Sequence, residues 1–185
     1  AVVCGGYSGE AVISMQSAQT ILQNLQPGRY NVFKIELNKD SWVAKDSDSN
    51  SLEINRTDFT LQRGVELIQL DAVLNVIHGT PGEDGQLQGY FETLGIPSNN
   101  SDVLSSALTF NKGFCNQYLS KNGIQVPNSV FLHSKTQSYH PEEIIKKLGF
   151  PCFVKPNDGG SSIGVSKVTE LGQLVPAIIK AFDVA

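Results

Sequence analysis

Apolar residues recur along this chain with two different periods, and the points where the period changes mark out its elements. The opening run Ala1-Val2-Val3-Cys4 is apolar throughout, as in a short buried strand, and Gly5-Gly6 turns the chain at its end. From Glu10 to Gln26 the period lengthens. Met15, Ala18, Ile21, Leu22 and Leu25 fall on one face of a helix, which Pro27-Gly28 ends. Phe33, Ile35 and Leu37 then alternate with Lys34 and Glu36, the pattern of a strand with one face buried. The polar stretch Asp46–Ser51 predicts a hairpin tip. Ala72–Ile77 reads as a buried strand running into His78-Gly79, and Gln86–Leu94 as a short helix closed by Gly95. This alternation of strand and helix predicts an α/β layer on a mostly parallel sheet.

Ile96-Pro97-Ser98-Asn99-Asn100-Ser101 has the composition of a linker and divides the chain into residues 1–98 and 99–185. Beyond it the pattern predicts a helix near Asp102–Lys121, a strand at Ser129–Leu132 and a helix opened by Pro141. That last helix has Glu142 and Glu143 in its first turn, Lys146 and Lys147 in its last, and Gly149 just past the end. It reads as a solvated surface helix without chemistry. A final helix opens near Pro176 and runs on without a cap, while Ala1 already lies inside an apolar strand. Both ends therefore look like cuts in a longer protein.

Composition narrows the classes of function. Apolar residues make up 40% and charged residues 17% of 185 positions, an ordinary globular balance. A net charge of -4 and a pI near 5.3, with no basic stripe, argue against nucleic acid as the main partner. No apolar stretch has the length of a membrane span and no signal-peptide pattern opens the chain. Cys4, Cys115 and Cys152 are odd in number and far apart, which suits reduced thiols in a cytoplasm better than disulfides or zinc. His78, His133 and His140 form no metal-ligand spacing with them.

The chemistry concentrates in four segments. In Lys155-Pro156-Asn157-Asp158-Gly159-Gly160-Ser161-Ser162-Ile163-Gly164, a short apolar run delivers a lysine to a glycine-serine loop, and Lys167 follows twelve positions after Lys155. Glycines let N–H groups approach an anion, hydroxyls add donors and lysines add charge, so the composition suits a phosphate. It equally suits a flexible hairpin tip. Val165 stands where a P-loop needs its lysine, and Cys4 where a dinucleotide fingerprint needs its first glycine, so neither motif applies. Glu10 follows Gly5-Gly6-Tyr7-Ser8-Gly9 at the start of a helix, either to cap it or to hold an ammonium group above the sheet edge. His78-Gly79-Thr80-Pro81-Gly82-Glu83-Asp84-Gly85 follows a buried strand, where α/β sheets form ligand crevices; Asp84 also suits the start of the next helix. Lys112, taken singly, is a solvated helix lysine.

Together these segments resemble the D-alanine–D-alanine ligases of the ATP-grasp superfamily. The matching blocks are Gly5-Gly6-x-Ser8-x-Glu10 with Ile13-Ser14, the run from His78 through Gln88-Gly89, Leu94-Gly95-Ile96-Pro97, Ser106-Ala107-Leu108 with Lys112, and Val154-Lys155-Pro156 through Ser166-Lys167. They occur in family order along nearly the whole chain.

The resemblance implies a Rossmann-like (pre-ATP-grasp) parallel-sheet domain, followed by an incomplete α+β ATP-grasp domain. It implies an ATP-dependent union of two D-alanines through an acyl phosphate, for peptidoglycan precursors. By the same resemblance Lys112 and Lys155 would bind ATP phosphates under a loop carrying Gly160, Ser161, Ser162 and Gly164. Glu10 would bind the ammonium of the first D-alanine with His78 and Glu83 beside it, and Ser161 would help link Glu10 to a mobile lid. His78, with no serine partner evident in the sequence, reads as a positioning group rather than a base. Magnesium is expected as cofactor with its ligands beyond residue 185, so the segment alone is expected not to turn over. A homodimer is among the assemblies the family allows. Two departures stand out: Ala11-Val12 where the family commonly carries a charged pair, and Ser98-Asn99-Asn100 where it shows a tyrosine and a threonine-glycine pair. Specificity for the second substrate belongs to the lid, and other readings are a D-alanine–D-lactate type ligase or a noncatalytic nucleotide-binding module.

Overall fold

The structure is a computed structural model, described for residues 1–26 and 28–184. It forms two compact units, Ala1–Ala107 and Leu108–Ala185.

The first unit is a mixed sheet of seven strands with helices on it. Strand β1 (Val2–Gly5) lies between β2 (Lys34–Leu37) and β7 (Leu74–Asn75), parallel to both. It is buried along its whole length, as a central parallel strand must be. Helix α1 (Ala11–Asn24) makes the crossover from β1 to β2. Its expected stripe packs as read: Met15, Ile21, Leu22 and Leu25 lie around a small core of Val2, Cys4 and Ala18. Val3 points to the opposite face and joins the larger core with Ile35, Leu37, Phe59, Leu61, Ile77 and Phe91.

The expectation of a mostly parallel sheet covers only the β2-β1-β7 part. From β2 outward the chain runs as an antiparallel meander, β3 (Trp42–Lys45), β4 (Ser51–Asn55), β5 (Thr60–Arg63) and β6 (Glu66–Ile68). The connections there are short turns, and a parallel crossover needs a dozen residues or more. The predicted hairpin tip is one of these turns: Asp46 accepts from the N–H groups of Asp48 (3.0 Å) and Asn50 (2.9 Å) between β3 and β4. Helix α2 (Gln86–Leu94) begins and ends on left-handed glycines, Gly85 and Gly95, where the sequence placed it.

Residues 96–101, read as a linker, are stitched to this unit. Val73 N–H donates to the Pro97 carbonyl (2.8 Å), and Asn75 N–H to Asn99 Oδ1 (2.7 Å). The single helix expected over Asp102–Lys121 is two, α3 (Val103–Phe110) and α4 (Lys112–Lys121). Asn111 leaves helical geometry between them and caps α4, its side chain accepting from Phe114 N–H (3.0 Å).

In the second unit, β8 (Cys152–Val154) and β9 (Ser166–Val168) form an antiparallel pair. Helix α5 (Pro141–Leu148) and α6 (Leu174–Asp183) pack with it around Ile144, Cys152, Val168, Leu174, Ala177 and Ile178. Helix α5 has the proline, charges and glycine in the places read from sequence, and Pro176 sits in the first turn of α6. The strand expected at Ser129–Leu132 is absent among the described residues. Val130 and Leu132 do pack on this core, but no neighbouring strand offers them a ladder. No helix among the described residues is long and apolar enough to cross a membrane.

Candidate functional site

In the first unit the chemistry gathers at the C-terminal ends of β1 and β7. Gly5 and Gly6 carry the chain off β1 with φ of 92° and 108°. A Cβ on Gly6 would lie 2.7 Å from Ile77 Cγ2, so the turn passes too close to the Ile77 side chain, just beyond β7, to carry one of its own. Ser14, fully buried on α1, closes the gap between the strand ends. Its hydroxyl accepts from Gly5 N–H (3.0 Å) and donates to the Val76 carbonyl (2.8 Å).

This places Glu10 at the mouth of α1. It is 8% exposed, and its carboxylate makes no capping hydrogen bond to the helix. The carboxylate lies instead against the next loop: a Cβ on Gly79 would sit 3.1 Å from Glu10 Oε2. Of the two readings of this residue, a cap or a holder of an ammonium group, the side chain does not make the hydrogen bond of the first. Ser8 ties the two loops, its hydroxyl donating to the His78 carbonyl (2.9 Å) and accepting from Glu10 N–H (3.2 Å).

His78 is half-buried, with Nε2 3.4 Å from Ser17 Oγ. The expectation that it lacks a serine partner is thus corrected. The signal was present: Ser14 and Ser17 are three apart, so both lie on one side of α1. Glu83 is exposed and braces its own loop, accepting from Gly79 N–H (2.7 Å). Asp84 serves the following helix, accepting from Gln86 N–H (3.1 Å) and from the Thr80 hydroxyl.

Behind the loop, Asn75, Gln88 and Asn100 direct amide groups at the Gly82 carbonyl, at 2.9, 2.7 and 3.4 Å. The sequence reading names Gln88 and Asn100, but not this shared role. For Asn75 the hint was an asparagine inside the apolar run Ala72–Ile77, where an unpaired amide would be costly.

In the second unit, β8 delivers Lys155, exposed, to the start of the glycine-serine loop. Within that loop Gly159 and Gly164 have positive φ, and Ser161 and Ser162 are successive left-handed residues (φ 47° and 58°). Successive N–H groups in turns suit anions. Lys112 belongs to the same cluster. Its ammonium donates to the carbonyls of Gly159 (2.5 Å) and Asn157 (3.4 Å). Asn157, also missed from sequence, fixes the start of α4 by accepting from Lys112 N–H (3.1 Å) at its carbonyl and from Gly113 N–H (2.7 Å) at Oδ1. The solvated-lysine reading of Lys112 therefore fails. Phe153, 62% exposed, stands opposite Lys167 in the β8–β9 register, on the strand that leads into the glycine-serine loop.

No group of three or more His, Cys, Asp or Glu side chains that could hold a metal ion is found among the described residues. The three cysteines are free, and burial pushes the Cys4 thiol up to about 11. That removes it as a nucleophile near neutral pH.

Two family models match the chain: "D-ala D-ala ligase N-terminus" over residues 1–101 and "D-ala D-ala ligase C-terminus" over residues 118–185. A D-alanine–D-alanine ligase of Phocaeicola vulgatus is 46% identical over 99% of this chain, and the match covers 56% of that protein. The crystal structure of the VanG D-Ala:D-Ser ligase of Enterococcus faecalis superposes with a TM-score of 0.81 at 33% identity, over 99% of this chain and 59% of that one. The D-alanine–D-alanine ligase of Bacillus anthracis complexed with ATP gives 0.74 at 30% identity, over 98% and 54%. The chain thus spans somewhat more than half the length of the proteins it matches.

Proposed function

The chain belongs to the D-alanine–D-alanine ligase family, and we propose that the complete protein is an ATP-dependent ligase joining two D-alanines into D-alanyl-D-alanine, a peptidoglycan precursor. The reaction in this reading has two steps. The carboxylate of the first D-alanine takes the γ-phosphoryl group of ATP and ADP leaves. The amine of the second D-alanine then attacks the acyl carbon and expels phosphate. Activation by ATP removes the need for an enzyme nucleophile.

One observation carries the reading: Glu10 is buried at the C-terminal edge of the parallel strands, with its carboxylate against Gly79 of the neighbouring loop. A carboxylate in that place suits an ammonium group, and Glu10 binds that of the first D-alanine. His78 and Glu83 position the substrate from the adjoining loop, with Ser17 restraining the imidazole. Lys112 and Lys155 meet the phosphates. Gly160, Ser161, Ser162 and Gly164 supply N–H and hydroxyl donors where negative charge moves during transfer. Lys112, now on the Gly159 carbonyl, exchanges that oxygen for a phosphate oxygen. The exposed Phe153 ring offers the base an apolar face. Magnesium serves the full protein from ligands other than those described, and the reaction belongs to the cytoplasm.

The test is ADP release by the natural full-length protein with ATP and magnesium, comparing D-alanine, L-alanine and a D-alanine/D-serine mixture. Release that requires D-alanine is the expected result, and its absence with every amino acid would refute the reading. D-serine as second substrate is the alternative, supported by the likeness to the Enterococcus ligase. A mixed dipeptide as the main product would decide for it.

A further inference from the structure

Resting on the ligase reading, we propose that Asn99 and Asn100 are positioning residues that set the His78–Gly85 loop for the first substrate. They occupy the place where the resemblance leads one to expect threonine and glycine, and their side chains do what a neighbouring strand would otherwise do. Asn99 pairs with Asn75 through both ends of its amide: Oδ1 accepts from Asn75 N–H (2.7 Å), and Nδ2 donates to the Asn75 carbonyl (3.2 Å). Beyond the single bridge of Val73 to Ser98, no strand lies along that side of β7 among the described residues, so Asn99 completes the pairing of Asn75 there. Asn100 takes the next layer. Its Oδ1 accepts from Asn75 Nδ2 (3.2 Å), and its Nδ2 reaches the Gly82 carbonyl (3.4 Å).

Asn75 spends its remaining oxygen on Ile77 N–H (3.0 Å), so one buried side chain is tied to the strand end, the loop and the 96–101 segment at once. The loop cannot shift inward at Gly82, where a Cβ would already meet Ile77 Cβ at 2.5 Å. Gln88 adds to the same carbonyl (2.7 Å) while its own Oε1, buried, has no hydrogen-bond partner among the described residues. An unpaired buried carbonyl is unfavourable, so the Gln88 bond to Gly82 is kept at a local cost. His78 and Glu83 lie on this loop, one at its entry and one next to Gly82. The bonds of Asn99 and Asn100 go to Asn75 and Gly82, and through these they act on the loop.

The experiment uses the natural full-length protein with Asn99→Ala, Asn100→Ala and Asn99→Asp. Asn99→Asp keeps the acceptor for Asn75 N–H and guards against simple failure to fold. Steady-state constants for D-alanine and ATP are read beside hydrogen exchange at the Gly79 amide, which bonds to Glu83 rather than to either asparagine. The expected result is a D-alanine KM for the first site raised roughly three- to tenfold in the alanine variants, the worth of a lost hydrogen bond, with the ATP KM unchanged. Gly79 exchange is expected to quicken, and Asn99→Asp to restore part of the loss. An unchanged D-alanine KM in a folded variant, or equal rises in both KM values, overturns the proposal. If the parent protein shows no D-alanine-dependent ADP release, the ligase reading fails, and Gly79 exchange decides the positioning role. Faster exchange supports it and unaltered exchange overturns it.

Discussion

Single carboxylates in turns of the first unit have a measurable consequence. The Thr60 hydroxyl (2.8 Å) and amide (3.0 Å) both donate to Asp58, and hold its carboxyl below the ordinary value of 3.8. The Ser105 amide (2.7 Å) and hydroxyl (3.1 Å) do the same for Asp102 ahead of α3. A depressed folded value means these bonds stabilise the fold above pH 3.8 and are lost as the pH falls through the lower, folded value. Denaturant midpoints followed across that range are expected to drop on the acid side. Asp58→Asn and Asp102→Asn should each flatten part of the drop, whereas unchanged curves in both variants would show that the bonds do not operate in solution. Residues of this kind are half legible in sequence. Asp or Asn two or three positions before a Thr or Ser marks a turn, but only the folded backbone says which partner it finds.

At the scale of elements, the break at Asn111 matters most. Sequence periodicity ran through it, because Ser105 to Lys121 contains no proline and its residues permit one long helix. What divides it is the bond from Phe114 N–H to Asn111 and the grip of Asn157 on Lys112 and Gly113. The result is a lysine on the first turn of α4, turned onto the glycine-serine loop rather than out to water. Asn111→Ala removes the cap and is expected to cost about 1 kcal/mol, read as a lower unfolding midpoint. Equal stability would mean that Asn157 alone fixes the start of α4. The meander β3–β6 is a second case. Its turn at Asp46–Ser51 was plain, yet the sheet order was not, since alternation marks strands without naming their neighbours.

For the molecule as a whole, the recognisable family extends beyond these residues, which match 56% of the Phocaeicola ligase. Transfer of a phosphoryl group requires its charge to be neutralised and water kept from the acyl phosphate. In the proposed ligase reading the described residues would bring lysines and N–H groups to that task, and no His/Cys/Asp/Glu cluster that could hold a metal ion is found among them. Residues 1–185 alone are therefore expected to give no D-alanine-dependent ADP release, while the full-length protein gives it under the same conditions. Rapid turnover by the segment would refute this expectation.

By itself the sequence determined the α/β class of the first unit, the placing of α1, α2 and α5, and the segments that carry the candidate chemistry. The elements follow from local periodicity, and the candidate segments from motif blocks that resemble the family, and both survive without knowledge of the neighbours. Only the tertiary structure decided that Glu10 faces Gly79 rather than its own helix, that Ser17 meets His78, and that three amide side chains converge on the Gly82 carbonyl in the loop holding His78. The pairings of Glu10 with Gly79, Ser17 with His78 and Asn100 with Gly82 join residues far apart in sequence. They are fixed by which strand ends lie side by side and by the need of every buried polar group for a partner, and neither is encoded in any local pattern.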